Sequence, residues 1–174
     1  MATETMASHV LAAKYFKNNL PNLWYCMARP QPWSNEEVPP AEDIYTTALD
    51  TPIGYKRWES SQLVVPAKEG EPINDAICSY RGHSWLAVPD SEAFKRYARW
   101  VYLSVWVYPD ELPYNIFRQI GIYQDLKPLP SYVGNDILVP AYVEDPGILV
   151  GYDNRQSQRY TYNVKLHEEI VIEF

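Results

Sequence analysis

Arg99-Trp100-Val101-Tyr102-Leu103-Ser104-Val105-Trp106-Val107-Tyr108 is the stretch whose pattern decides the fold. Valine or leucine stands at every second position from 101 to 107, and aromatic or hydroxyl side chains fill the places between. A period of two puts alternate side chains on opposite faces of a strand. One face is therefore aliphatic and the other aromatic, and both are expected to be covered. Trp100 and Trp106, an even number of residues apart, share the aromatic face, which suits a core or a subunit interface.

Working outward, 116–123 reads as a second strong strand, and 23–28, 62–65, 73–80, 137–143, 147–152 and 169–174 as further ones. Pro66 closes the segment 62–65. Residues 53–59 are ambiguous between a helical turn and a strand, and 90–96 suggest a short helix or turn. Only 8–19 has clear helical spacing. Ser8 is the expected N-cap, Val10, Ala13 and Phe16 form the apolar stripe, and Asn18-Asn19 with Pro21 end the segment. Between 29 and 52 the chain turns polar and proline-rich, and reads as an ordered excursion in which Trp33 and Tyr45 need somewhere to pack. The pattern predicts one β-rich structural domain over 1–174, all-β or β-dominated α+β, in the form of an antiparallel β-sandwich with a short N-terminal helix.

Composition agrees with that class. The 174 residues include 15 Pro against 7 Gly, which favours stiff extended connections over flexible ones. Six Trp and 15 Tyr against 4 Phe mean that most aromatic rings carry a polar handle, a mixture suited to half-buried strands and protein interfaces. The net charge of −7 repels a phosphate backbone, so nucleic acid is not an expected partner. Cys26 and Cys78 each lie in an apolar stretch and read as buried free thiols of a protein folded in a reducing cytosol. The N-terminal segment has Glu4 where a leader would have a basic cluster, and the apolar runs are shorter than a membrane span, so the chain is expected to fold in the cytosol and stay soluble.

The search for chemistry returns little. His9, His83 and His167 fall outside any metal-binding or protease-like motif and are read as surface or structural residues. Carboxylates such as Glu36, Asp43, Glu59 and Asp110 could be paired in many ways, as in any acidic chain, and none marks a hydrolase. The glycines are too dispersed for a phosphate loop, with Gly121 alone inside an apolar strand, and no nucleophile elbow is present. No catalytic residue, cofactor or metal site is assigned, and the chain is read as a non-enzyme. Exposed Trp and Tyr could stack on sugar rings, which leaves a second reading open, a carbohydrate-binding module.

The segment Trp24-Tyr25-Cys26-Met27-Ala28-Arg29-Pro30-Gln31-Pro32-Trp33-Ser34-Asn35-Glu36-Glu37-Val38-Pro39-Pro40 resembles a signature of the baseplate wedge proteins of contractile-tailed bacteriophages. In that family an amphipathic helix is followed by a strand with an aromatic and a small residue, then by Pro-Trp and an acidic stretch with Pro-Pro. Ala28 stands where the family often has glycine. Leu63-Val64-Val65-Pro66, Phe117-Arg118-Gln119-Ile120-Gly121-Ile122-Tyr123, Gly147-Ile148-Leu149-Val150-Gly151-Tyr152-Asp153-Asn154-Arg155 and Glu168-Glu169-Ile170-Val171-Ile172-Glu173-Phe174 are similar to later family segments in the same order. Better-known members are longer, and the resemblance is weakest over 69–97, which implies a reduced version without their inserted domain. The resemblance implies a β-sandwich wedge subunit of the virion's tail baseplate, assembled in the host cytoplasm and present in several copies; the alternative is a carbohydrate-binding or tail-fibre-attachment adaptor module of a virion. Its partners would be other baseplate wedge and tail proteins, with no membrane partner, and the resemblance offers no catalytic residue. Arg29, Pro32, Trp33, Pro39 and Pro40 are the candidate interface. Trp33 stays open between two roles, a contact with a neighbour or a plug in the chain's own core.

Overall fold

The computed structural model describes residues 2–113 and 115–174. The chain is β-dominated with one N-terminal helix, and the strand pairings described are antiparallel. It divides into two compact units, each built from separate stretches of sequence.

The first unit comprises Met1–Leu20, Glu59–Val105 and Glu168–Phe174. Its helix α1 runs Met6–Asn18. Thr5, not Ser8, is the N-cap: its backbone is extended and its hydroxyl accepts from the Ser8 amide, three residues on, where an unpaired helical N–H needs a partner. Ser8 instead sits one turn inside and donates its hydroxyl to the Thr5 carbonyl at 2.6 Å. Val10, Ala13 and Phe16 are buried as their spacing requires, and the Phe16 ring meets Phe174 at 4.8 Å between centroids.

The sheet of this unit contains β3 (Ser60–Pro66), β4 (Ala76–Tyr80), β5 (His83–Ala87), β6 (Trp100–Val107) and β12 (Leu166–Glu173), in the order β12-β6-β3-β5-β4. The opening stretch is thus β6. Val101, Leu103, Val105 and Val107 are all buried, while Trp100 and Trp106 on the aromatic side are half-buried. Val64, Trp85 and Tyr102 form a cluster against which Ile77, Cys78, Tyr80, Trp100 and Val171 pack. β5 was not expected from sequence: a two-residue turn at Arg81-Gly82, both at positive φ, folds it back onto β4 as a hairpin.

The second unit comprises Pro21–Trp58 and Trp106–His167. Its main sheet contains β1 (Leu23–Ala28), β2 (Pro52–Arg57), β7 (Ile116–Gln124), β9 (Ile137–Leu138) and β11 (Ile148–Arg159), in the order β11-β7-β1-β2-β9. A two-stranded ribbon joins β8 (Lys127–Pro128) to β10 (Val143–Asp145). The ambiguous segment 53–59 is strand as far as Arg57, paired with β1. The expected strand over 137–143 is broken, because Pro140 starts a 3-10 turn that separates β9 from β10.

Trp24, Cys26 and Ala28, alternate residues of β1, share a core with Leu49, Tyr55, Tyr123, Leu126 and Leu138. Lys56, buried on β2, is met by the Glu111 carboxylate at 2.7 Å and the Trp106 carbonyl at 2.5 Å, so its charge is compensated. No helix among the described residues is long and apolar enough to cross a membrane.

Candidate functional site

Residues 29–51 connect β1 to β2 and contain no strand or helix, yet they form an ordered strap. A chain segment without a ladder must find other partners for its backbone amides and carbonyls. Here β7 and β11 supply them from side chains. The Leu49 amide donates to the Tyr123 hydroxyl and the Asp50 amide to Gln119 Oε1, each at 3.0 Å. Asn154 Nδ2 donates to the Pro40 carbonyl and Gln156 Nε2 to the Glu37 carbonyl, each at 2.9 Å. The Asn154 amide donates in turn to Glu42 Oε1 at 3.1 Å. Burial pushes the Tyr123 hydroxyl up to about 12, so it remains a neutral acceptor through the physiological range.

The ends of the strap are closed by Arg29 and Thr51, both at positive φ, with the Arg29 amide donating to the Asp50 carbonyl at 2.7 Å. The Arg29 guanidinium pairs with Asp50 and lies 3.9 Å from the centre of the Trp33 ring. Trp33 is only 9% exposed. Its indole Nε1 donates to the Arg155 carbonyl at 2.8 Å, at a point where β11 leaves register with β7 between Asn154 and Gln158. Trp33 therefore plugs its own unit. Pro32 and Pro40 are exposed, and Arg29 and Pro39 are half-buried.

Beneath the first turn of the strap lies Arg118, which is 7% exposed and donates from Nε to both oxygens of Glu36, at 2.8 and 3.0 Å, and from its terminal nitrogen to the Pro30 carbonyl at 2.6 Å. The Glu36 carboxylate also accepts from the Trp33 amide. Hydrogen bonding from Arg118 is the main reason that Glu36 is held below its ordinary value of 4.5. A carboxylate depressed in the folded state stabilises the fold above its unfolded pKa, and that contribution is lost as pH falls through the lower folded value. Below about pH 4.5 the wild type should lose melting temperature more steeply than Glu36→Gln, the two curves converging at low pH, as thermal scans across pH 6 to 3 would show.

At its outermost point the strap makes a tight turn, with the Thr46 amide donating to the Asp43 carbonyl at 3.0 Å and the Tyr45 amide to Asp43 Oδ1 at 2.9 Å. The Tyr152 hydroxyl clasps this turn, accepting from the Asp43 amide at 2.6 Å and lying 3.0 Å from Thr46 Oγ1. Ile44 and Tyr45 occupy its corner and are 90% and 83% exposed. Val38, earlier in the strap, is 67% exposed. The expectation that Tyr45 packs inward is thus corrected: the turn aims it at solvent. These three apolar side chains were not among the sequence candidates. The available signal was an Ile-Tyr pair with an Asp before it, which reads as a turn tip.

The other sequence candidates have local partners. His9 lies 3.6 Å from Glu4, His83 packs edge-on to Trp85, and His167 stacks on Trp106 at 4.2 Å between centroids. Cys26 is buried and Cys78 half-buried, both as free thiols, which corrects the expectation that both are buried. Burial raises the Cys78 thiol to about 11. Gly121 is closely covered: a Cβ there would sit 2.7 Å from Leu49 Cδ1 and 3.1 Å from Leu149 Cδ1, so those leucine side chains would have to shift. Among the described residues no group of His, Cys, Asp and Glu side chains could hold a metal ion.

The whole sequence can be set against known proteins. The chain is 36% identical over 175 positions to a protein named Virion protein 3 from Enterococcus phage phiEF24C, an alignment that covers 99% of this chain and 94% of that protein. A family model described as baseplate wedge 3 tail fiber network component matches residues 1–174, including the stretch 69–97 where the resemblance in sequence is weakest. The chain belongs to the baseplate wedge 3 tail fiber network component family of phage virion proteins.

Proposed function

We propose that this protein is a structural wedge subunit of a contractile-tail baseplate, present in several symmetry-related copies, and that it acts by binding neighbouring baseplate and tail proteins. The observation that carries the reading is the strap over residues 29–51, which displays exposed Pro32, Val38, Pro40, Ile44 and Tyr45 on a backbone already fixed by β7 and β11. A surface fixed before binding loses less conformational entropy on association, which suits an assembly that must be both specific and durable. The role is mechanical: a baseplate holds together outside the cell and rearranges when the tail contracts, so its small subunits need complementary surfaces more than chemistry. The acidic net charge, −7, supports protein neighbours over nucleic acid.

The test is composition. Phage carrying an amber codon in this gene should yield, without suppression, tails whose baseplates lack the protein and are incomplete. Suppression should restore it at a fixed ratio to the other wedge proteins, measured by quantitative mass spectrometry of purified tails. Complete, infectious particles without the protein would refute the proposal.

A further inference from the structure

We infer that the corner Ile44-Tyr45, with Val38, is an anchor that enters an apolar pocket rimmed by lysine and arginine on a different baseplate protein. The inference rests on the baseplate reading above and specifies the partner that its strap would fit.

Three observations support it. The tip is apolar and almost fully exposed while its backbone is clasped by Tyr152, so an ordered hydrophobic protrusion is held in water with nothing among the described residues over it. Isolated exposed apolar residues are ordinary, but Ile44 and Tyr45 are adjacent at the corner of one fixed turn, and tyrosine is among the residue types enriched at the hot spots of interfaces.

Charge then selects the partner. From Pro30 to Tyr55 the sequence contains Glu36, Glu37, Glu42, Asp43 and Asp50 and no lysine or arginine. Arg118 and Arg29 neutralise Glu36 and Asp50 at the inner end of the strap. Glu37 and Asp43, beside Val38 and Ile44, have no cation within ion-pair distance among the described residues. A neighbour that covers the tip must meet these carboxylates at its rim, and a cationic rim is the complement that avoids like-charge cost. The chain's own excess of acid, −7 overall, makes a second copy a poor source of that rim.

The experiment uses baseplate precursors from the unsuppressed amber phage, to which the purified full-length chain is added over a range of concentrations. Wild-type chain should be taken up, with a half-saturation that rises as NaCl screens the rim. Ile44→Ser/Tyr45→Ser, with an unchanged melting temperature, should need roughly 30-fold more protein. Glu37→Gln/Asp43→Asn should flatten the salt dependence. A photoreactive p-benzoylphenylalanine placed at position 45 should cross-link, on irradiation of the loaded baseplates, to a peptide of another protein containing lysine or arginine.

Normal uptake with cross-links only to this chain or to a second copy would overturn the inference and leave the baseplate role standing. Normal uptake of the Ile44→Ser/Tyr45→Ser protein would do the same. Failure of the wild-type chain itself to be taken up would instead count against the baseplate reading.

Discussion

Trp33→Ala should lower the stability of the protein by about 3–5 kcal/mol, with the urea midpoint falling and the soluble yield with it. The change removes a large ring that is only 9% exposed and opens a cavity beneath the strap. It also strips the Arg155 carbonyl of the indole donor at 2.8 Å, and an orphaned acceptor adds roughly 1–3 kcal/mol where water cannot reach it. The Arg29 guanidinium, 3.9 Å from the ring centre, loses its stacking partner as well. Trp33→Phe separates these effects, because it keeps most of the ring and loses the N–H, and should cost about 1–2 kcal/mol. An unchanged midpoint in both variants would assign the ring to a neighbouring subunit after all.

Gly147→Ala should be comparably severe, at about 3 kcal/mol or more, from two independent causes. Gly147 has φ +77, in the left-handed region, where a side chain strains the backbone. A Cβ there would also sit 2.1 Å from the Gln124 carbonyl oxygen and 2.9 Å from the backbone of Asp125 and Leu126, atoms that cannot swing aside as a side chain can. Gly147 lies between β10 and β11, with its amide donating to Asp145 Oδ1 at 2.9 Å, so relieving the clash means moving the start of β11 away from β7. Equilibrium denaturation would read the loss directly. A variant with wild-type stability would show that β11 can begin elsewhere.

These two residues also show where the sequence was legible. The alternation in β6 and the stripe of Val10, Ala13 and Phe16 in α1 follow from periodicity, while β1 and β7 follow from their aliphatic and aromatic content. Periodicity survives in β6 and α1 because each has one continuously buried face. Strand ends were less readable. β11 extends to Arg159, well beyond its apolar start, because its later residues, Asn154 and Gln156, are polar for the sake of the strap. A search for apolar runs stops where those residues begin. β5 was hidden for a different reason: it is only five residues long and begins with polar His83 and Ser84.

The strap was legible as an ordered region, while the outward or inward direction of its individual side chains was not. Proline, tryptophan and acid in 29–40 marked an ordered excursion, and the structure places Pro32 and Pro40 at its surface with Trp33 beneath. Which aromatic faces inward could not follow from composition, since Trp33 and Tyr45 are equally plausible plugs. The choice is made by the distant partners of each: the Arg155 carbonyl draws the indole down, and the Tyr152 hydroxyl clasps the backbone beside Tyr45 and leaves its ring outside. Both partners come from β11, more than a hundred positions along the chain from the residues they hold.

The way the strap is fastened bears on how such a subunit can diverge. Tyr123, Gln119, Tyr152, Asn154 and Gln156 hold it by its main chain, which every residue type shares, and among the described residues none of these fastening bonds uses the side chain of Val38, Ile44 or Tyr45. Residues that shape the platform and residues that it displays are therefore different positions. Under the proposed role, the displayed set is free to follow a changing neighbour by single substitutions, with the residues of β7 and β11 that hold the strap left untouched.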